Sequence, residues 1–298
     1  MRRTTILLNR SARGVTEATI EQLGELVRAR QLDAVVEPIS GSSLAAAAQR
    51  AVESGCSVLV AAGGDGTVST VASVAVAQGA VLGVLPLGTL NHFARDAGVP
   101  SDLEAAIAVL ACGRLATVDV GEVNGRIFLN NSSIGIYPRL LWEREQRQRR
   151  GRRKWTAFAL AGLDVWRHYP RVTVSVEGRG YRRNVQTPFV FVGNNEYAID
   201  GGRIDARASL DAGRLQLCIA PDADRRRMAR IVLAAIAGRL GNVDGFEAVT
   251  ASAVTIEAPP RRLGVSLDGE LTYLESPLHY RIRSRALQMI VPQEEQGR

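Results

Sequence analysis

The sequence predicts an α/β domain followed by a β-rich one. Three observations carry that expectation. Apolar strand-like runs alternate with helical stretches over the first ~120 residues, the rhythm of an open, mostly parallel sheet. The second half changes to short, β-branched segments separated by turn residues. At 298 residues and 46% hydrophobic, the chain is long and apolar enough for two ordinary domains with cores of their own.

The elements follow in order. Thr4–Leu8 reads as a buried strand. Thr16–Arg30 reads as an amphipathic helix, with Ile20, Leu23, Leu26 and Val27 on one face. Ala34–Pro38 is a second strand and Leu44–Glu53 an alanine-rich helix. Ser57–Ala62 is a continuous apolar strand of the parallel-sheet kind. A helix over Val68–Gln78, a strand over Val81–Leu85 and a helix over Leu103–Leu110, capped by Ser101, complete the first half. Beyond a boundary near Gly121–Gly125, strands are expected at Val172–Val176, Phe189–Val192, Leu215–Ile219, Val254–Ile256, Gly264–Leu267, His279–Ile282 and Leu287–Val291. Helical stretches are expected at Lys154–Arg167 and Asp224–Leu240. The division is 1–122 and 123–283, with 284–298 returning to the first domain.

Several classes are excluded. No apolar run approaches the roughly 20 residues of a membrane span, and the N-terminus lacks a signal-peptide core. Cys56, Cys112 and Cys218 are scattered, form no CxxC pair, and read as small core residues of a reduced, cytoplasmic protein.

The chemistry begins at Gly63-Gly64-Asp65-Gly66-Thr67, where a strand gives way to a helix. In an α/β sheet that is the carboxyl edge, where ligands bind. Glycines let the backbone approach a ligand closely, and free N–H groups at a helix start favour an anion. Thr67 adds a hydroxyl. A P-loop would need a lysine, and the chain's only one, Lys154, is far away. A carboxylate, Asp65, beside phosphate makes sense with Mg²⁺ between them. The plainer reading makes Asp65 the cap of a tight turn. A second strand end, "VLGVLPLGTLNHFARD", brings Gly88 and Thr89 to the same edge, so that the two loops describe one nucleotide pocket.

These residues, with "LLNRSARG", "VDVGEVNGRIFLNNSSIGIY", "LDAGRLQL" and "SLDGE", resemble the diacylglycerol kinase catalytic family, which includes bacterial lipid kinases and sphingosine and ceramide kinases. The resemblance implies an N-terminal ATP-binding domain of the NAD-kinase and lipid-kinase type, a C-terminal β-sandwich, and ATP and Mg²⁺ as cofactors. Its nucleotide positions fall on Asn9, Ser40, Gly63, Gly64, Asp65, Gly66, Thr67, Gly88, Thr89 and Asn91. It places the catalytic base at Asp268 or Glu270, and metal-organising carboxylates at Asp65 and Asp119, with Asp211 at a second metal turn. Two positions depart from the pattern. His92 stands where many relatives have an aspartate, and Ala212 where bacterial relatives carry an acidic residue just before the glycine of the turn. Without the resemblance, "SLDGEL" reads as a hairpin with an Asp-Gly turn.

Charge is the remaining signal. The net charge is +7, and Arg139–Lys154 alone holds eight basic and two acidic residues. Trp142 lies inside that run, and Trp155, Phe158, Gly162 and Trp166 follow at helical spacing. Cations beside interfacial aromatics suit an anionic membrane surface. The expected contacts are Trp142, Arg149, Arg150, Arg152, Arg153, Lys154 and Trp155; a solvated helix with core aromatics is the alternative. No nucleic-acid motif accompanies the charge. The sequence therefore points to a lipid kinase acting on diacylglycerol or a related membrane lipid, peripheral at the inner membrane face, with a homodimer left open. The competing readings are a kinase of a soluble hydroxyl compound such as NAD, and a nucleotide-binding regulator with weakened catalysis.

Overall fold

The computed structural model describes residues 3–12, 15–149, 171–178, 181–200, 203–207, 209–221, 224, 226–227 and 247–293. The chain forms two compact units, Met1–Val120 with Ser284–Arg298, and Gly121–Arg283.

The N-terminal unit holds strands β1 (Thr4–Asn9), β2 (Ala34–Ile39), β3 (Val58–Gly63) and β4 (Val81–Pro86). Its helices are α1 (Glu17–Ala29), α2 (Leu44–Glu53), α3 (Asp65–Gln78), α4 (His92–Asp96) and α5 (Leu103–Cys112). The strands run parallel in the order β2-β1-β3-β4. Every residue of β3 and β4 is buried, which is why both read as unbroken apolar runs. Local sequence sets the helix ends. Thr16 caps α1 through a reciprocal bond with Thr19. Asp102, rather than the expected Ser101, caps α5 by accepting from Ala105 N. Helix α3 begins at Asp65, three residues before the expected Val68, because its glycine sits in the first turn, where helical bonding has not yet begun. Cys56 and Cys218 are buried, but Cys112 is exposed, so one of the three expected core thiols is on the surface.

Strand β5 (Arg114–Val123) leads into the second unit, which contains β6 (Arg126–Phe128), β7 (Asn131–Gly135), helix α6 (Ile136–Arg149), β8 (Val172–Gly178), β9 (Tyr181–Thr187) and β10 (Phe189–Asn194). Then come β11 (Tyr197–Asp200), β12 (Arg203–Arg207), β13 (Leu215–Ile219), β14 (Glu247–Ala251), β15 (Ala253–Glu257), β16 (Arg262–Leu267), β17 (Glu270–Glu275) and β18 (Leu278–Val291). One antiparallel set orders the start of β18, β15, β8 and β9. The other orders β14-β13-β10-β7-β16-β17. Apolar side chains from both sets, among them Val176, Ile256, Val192, Leu217, Val265 and Tyr280, share one core. That is a β-sandwich, as the sequence led us to expect. The two final strands expected at His279–Ile282 and Leu287–Val291 are one strand, whose end pairs parallel with β4 at Met289↔Leu82. The helix expected at Lys154–Arg167 lies outside the described residues, as does most of Asp224–Leu240. No helix among the described residues is long and apolar enough to cross a membrane.

Candidate active site

In the N-terminal unit, the ends of β1, β3 and β4 meet in two glycine turns. Gly63 ends β3, and a Cβ on it would lie 2.4 Å from Thr67 Oγ1. A Cβ on Gly88 would lie 2.5 Å from Gly64 Cα, so the two turns are in backbone contact. Leu87 N also donates to Gly63 O at 2.9 Å. This is the pairing of Gly63–Thr67 with Gly88 that the sequence suggested. Only glycine allows the approach.

Around this contact each candidate residue takes a distinct part. Asn9, at the end of β1, donates from Nδ2 to Thr67 Oγ1 at 2.9 Å and accepts from Ser11 N. Thr67 is 4% exposed, so it serves as the anchor of Asn9 more than as a direct ligand. Ser40 is exposed beside the end of β2, and a Cβ on its neighbour Gly41 would stand 3.7 Å from the Asn9 amide. Asn91, at φ 48°, bonds both ways with Gly88 and donates to Pro86 O. It spends its amide on the shape of its own loop, and Thr89 beside it is left exposed. Gly66 lies in the first turn of α3, whose leading N–H groups have no helical acceptor.

Asp65 is half-buried, and its Oδ1 accepts from Phe93 N at 3.3 Å, tying α3 to α4. Asp65 is the carboxylate beside these turns that would hold a nucleotide-borne Mg²⁺, an ion bound by one or two carboxylates together with substrate phosphates. Asp119 fits a metal less well. It is 1% exposed and accepts from Arg285 N at 2.7 Å, which makes it a strut between β5 and β18. Asp211 belongs to the other unit, where it bonds with Ser209 in the turn before β13. No three carboxylate, histidine or cysteine side chains converge as a metal cluster among the described residues. His92 is exposed, with Nδ1 3.4 Å from the Arg95 guanidinium.

In the second unit, Asp268 and Gly269 form the two-residue turn between β16 and β17, at φ 49° and 85°. Both values are positive, which is the type I′ hairpin that Asp-Gly favours. The turn carries more than a reversal of direction. The Asp268 carboxylate accepts from Leu129 N at 2.8 Å, Asn130 N at 2.7 Å and Asn131 N at 3.2 Å. On the other side of that peptide stretch, buried Arg207 donates to Leu129 O and Asn130 Oδ1, and Tyr197 Oη donates to Asn130 O. Asp268 thus clamps its hairpin to the start of β7. Glu270, at the start of β17, is exposed, with no side-chain hydrogen bond or ion pair among the described residues.

The same unit has a cavity of about 270 Å³ between α6 and β7, β16 and β17. Gly135, Pro138, Trp142, Gly264, Leu271 and Tyr273 line it, and Arg139 and Arg262 edge it. Arg139 stacks 4.8 Å from the Trp142 ring centroid, and Arg262 5.5 Å from that of Tyr273. Trp142, one of the expected membrane contacts, is among the lining residues. Arg149 ends α6. Arg150, Arg152, Arg153, Lys154 and Trp155 lie outside the described residues. Sequence reading did not find the cavity or Arg207; the only available signal was the small residues Gly135 and Gly264 within the strands β7 and β16.

A parallel sheet with paired glycine turns at its carboxyl edge, in a chain that also holds a β-sandwich, defines a kinase-type phosphotransferase. The comparisons agree. The diacylglycerol kinase catalytic domain family matches residues 3–123, and the YegS C-terminal NAD kinase beta sandwich-like domain matches residues 142–291. A Pseudomonas aeruginosa protein named "Probable lipid kinase YegS-like" is 31% identical over 229 residues, 74% of this chain and 72% of that protein. A Pseudomonas fluorescens protein of the same name is 30% identical over 83% of this chain and 81% of that protein. The chain belongs to this diacylglycerol kinase and YegS-like lipid kinase family. A solved structure described as a diacylglycerol kinase from Bacillus anthracis str. Sterne shares the fold, with a TM-score of 0.69 at 19% identity over 97% of each chain.

Proposed function

We propose that this protein transfers the γ-phosphoryl group of ATP to a hydroxyl of diacylglycerol or a related membrane lipid. The observation that carries the lipid reading is the cavity under α6, with its apolar walls and its two arginine–aromatic pairs at the edge. Such a lining suits an acyl-bearing molecule better than a soluble dinucleotide.

The chain's own residues divide the work. The Gly64–Gly88 contact lets backbone amides and the start of α3 approach the phosphates. Asn9 and the loop after β2 flank the nucleotide. Asp65 would hold Mg²⁺, which when bound neutralises charge on the phosphate oxygens. Of the two candidate bases we assign Glu270. A proton acceptor needs a lone pair facing the acceptor hydroxyl, and the lone pairs of Asp268 receive three amides. Asp268 is then a positioning residue that sets the hairpin from which Glu270 projects. The basic run from Arg139 to Lys154 supports docking at an anionic membrane surface.

The test is ADP release from ATP on adding candidate acceptors one at a time. Dioctanoylglycerol or another glycerolipid should stimulate release, and NAD should not. Stimulation by NAD alone would establish the soluble-substrate reading instead.

A further inference from the structure

Two hydroxyls in the second unit are not used by the fold that buries them. Ser133 on β7 and Ser266 on β16 are cross-strand partners in register. They are 5% and 0% exposed, and neither Oγ has a hydrogen-bond partner among the described residues. Ser132, one residue away on the opposite face, does bond, to Tyr280 Oη at 3.0 Å. A buried hydroxyl left unpaired is unfavourable, and alanine would fill nearly the same space. The pair therefore calls for a ligand.

Pleating gives their direction, since side chains two residues apart share a face. Gly135 follows Ser133 by two, Gly264 precedes Ser266 by two, and Leu271 is the cross-strand partner of Ser266. All three line the cavity beneath α6. The serines thus face the same side as these three lining residues, one step along the strands from the cavity, and neither lines it in this structure. Gly135, at φ 95°, joins β7 to the covering helix, and α6 must give there for a head group to reach the hydroxyls.

We propose that Ser133 and Ser266 are specificity-determining residues that read the head of the lipid acceptor. This rests on the lipid-kinase reading. Cβ atoms of directly opposed strand residues are about 4.5–5.5 Å apart, a span that two neighbouring oxygens of one head group can bridge. The two ester carbonyls of a glycerolipid satisfy both serines and leave its hydroxyl free for Glu270. A simple long-chain alcohol has one oxygen and leaves a serine unpaired, the kind of mismatch that such a site rejects.

The test compares the full-length protein with Ser133→Ala, Ser266→Ala and the double variant. Dioctanoylglycerol and hexadecanol serve as acceptors in mixed micelles. Binding of dioctanoylglycerol without ATP is followed by tryptophan fluorescence, and thermal midpoints are recorded. Each variant should raise KM for dioctanoylglycerol roughly two- to tenfold, the worth of one hydrogen bond. Hexadecanol should respond little, so the preference narrows, while KM for ATP holds and the midpoint stays level or rises. An unchanged preference in the double variant overturns the proposal, whether the midpoint holds or falls; a fall would show that the hydroxyls serve the fold. If the wild type phosphorylates neither lipid, the kinase reading fails and the binding arm decides this inference. Weaker dioctanoylglycerol binding by the variants then upholds it, and equal or absent binding overturns it.

Discussion

Replacing Asp268 with asparagine separates a clamp from a base. The carboxylate receives three amide N–H groups at 2.8, 2.7 and 3.2 Å. Asparagine keeps one acceptor oxygen and turns an NH₂ donor toward an amide that needs an acceptor. Hydrogen bonds to a charged group contribute about 1.5–3 kcal/mol each when one partner is removed. The turn is only part-buried, so water relieves some of the loss, and we expect about 2–4 kcal/mol. For a unit of this size that lowers the melting temperature by roughly 4–16 °C. Glu270→Gln should leave stability unchanged, because Glu270 is exposed and without partners among the described residues. It should instead lower kcat on lipid by about 10²–10⁴-fold, the contribution of a general base. The assay is thermal unfolding of both variants, paired with kcat at saturating ATP and lipid. If Asp268→Asn is as stable as the wild type and loses more kcat than Glu270→Gln, Asp268 is the base and the clamp argument fails.

The remaining expectations concern the nucleotide turn and the basic run. Asp65→Asn keeps an oxygen to accept from Phe93 N, so it should fold normally, while lipid phosphorylation falls by at least about 10²-fold; near wild-type turnover would remove Asp65 from the site. Gly88→Ala puts a Cβ 2.5 Å from Gly64 Cα, whereas Gly64→Ala puts one 3.3 Å from Gly88 Cα. ATP affinity measured by calorimetry should therefore fall much further in the Gly88 variant, and equal affinities would mean that the turn contact does not shape the pocket. Exchanging Arg149, Arg150, Arg152 and Arg153 for glutamine should weaken sedimentation with anionic vesicles roughly 10²–10³-fold, at about 1 kcal/mol per cation. High salt should mimic that loss, and unchanged vesicle binding would return the segment to a solvated role.

Much of the N-terminal unit was legible because its strands are wholly buried and its turns need glycine. β3 and β4 read as apolar runs, and Gly63, Gly64 and Gly88 read as a crevice, for one steric reason. The parts that sequence did not reveal depend on distant partners. Asp268 meets amides 137 to 139 positions away, and no local pattern announces that. The polar run from Arg283 to Arg285 divided β18 into two apparent strands, yet Arg283 pairs with Glu122, Arg285 N donates to Asp119 and the strand continues. Asn91 matched a nucleotide motif, but its amide closes its own loop. Ser133 and Ser266 look ordinary in sequence and become notable only when burial and missing partners are seen together.

The most direct measurement follows the label itself. Wild-type protein is incubated with ATP labelled at the γ-phosphorus, Mg²⁺, vesicles containing a glycerolipid, and NAD in the same tube, and the products are divided between organic and aqueous phases. The account expects the label to enter the organic phase as a phosphorylated lipid, and to stay out of it in Asp65→Asn. Label appearing in NADP while the lipid stays unlabelled would contradict it.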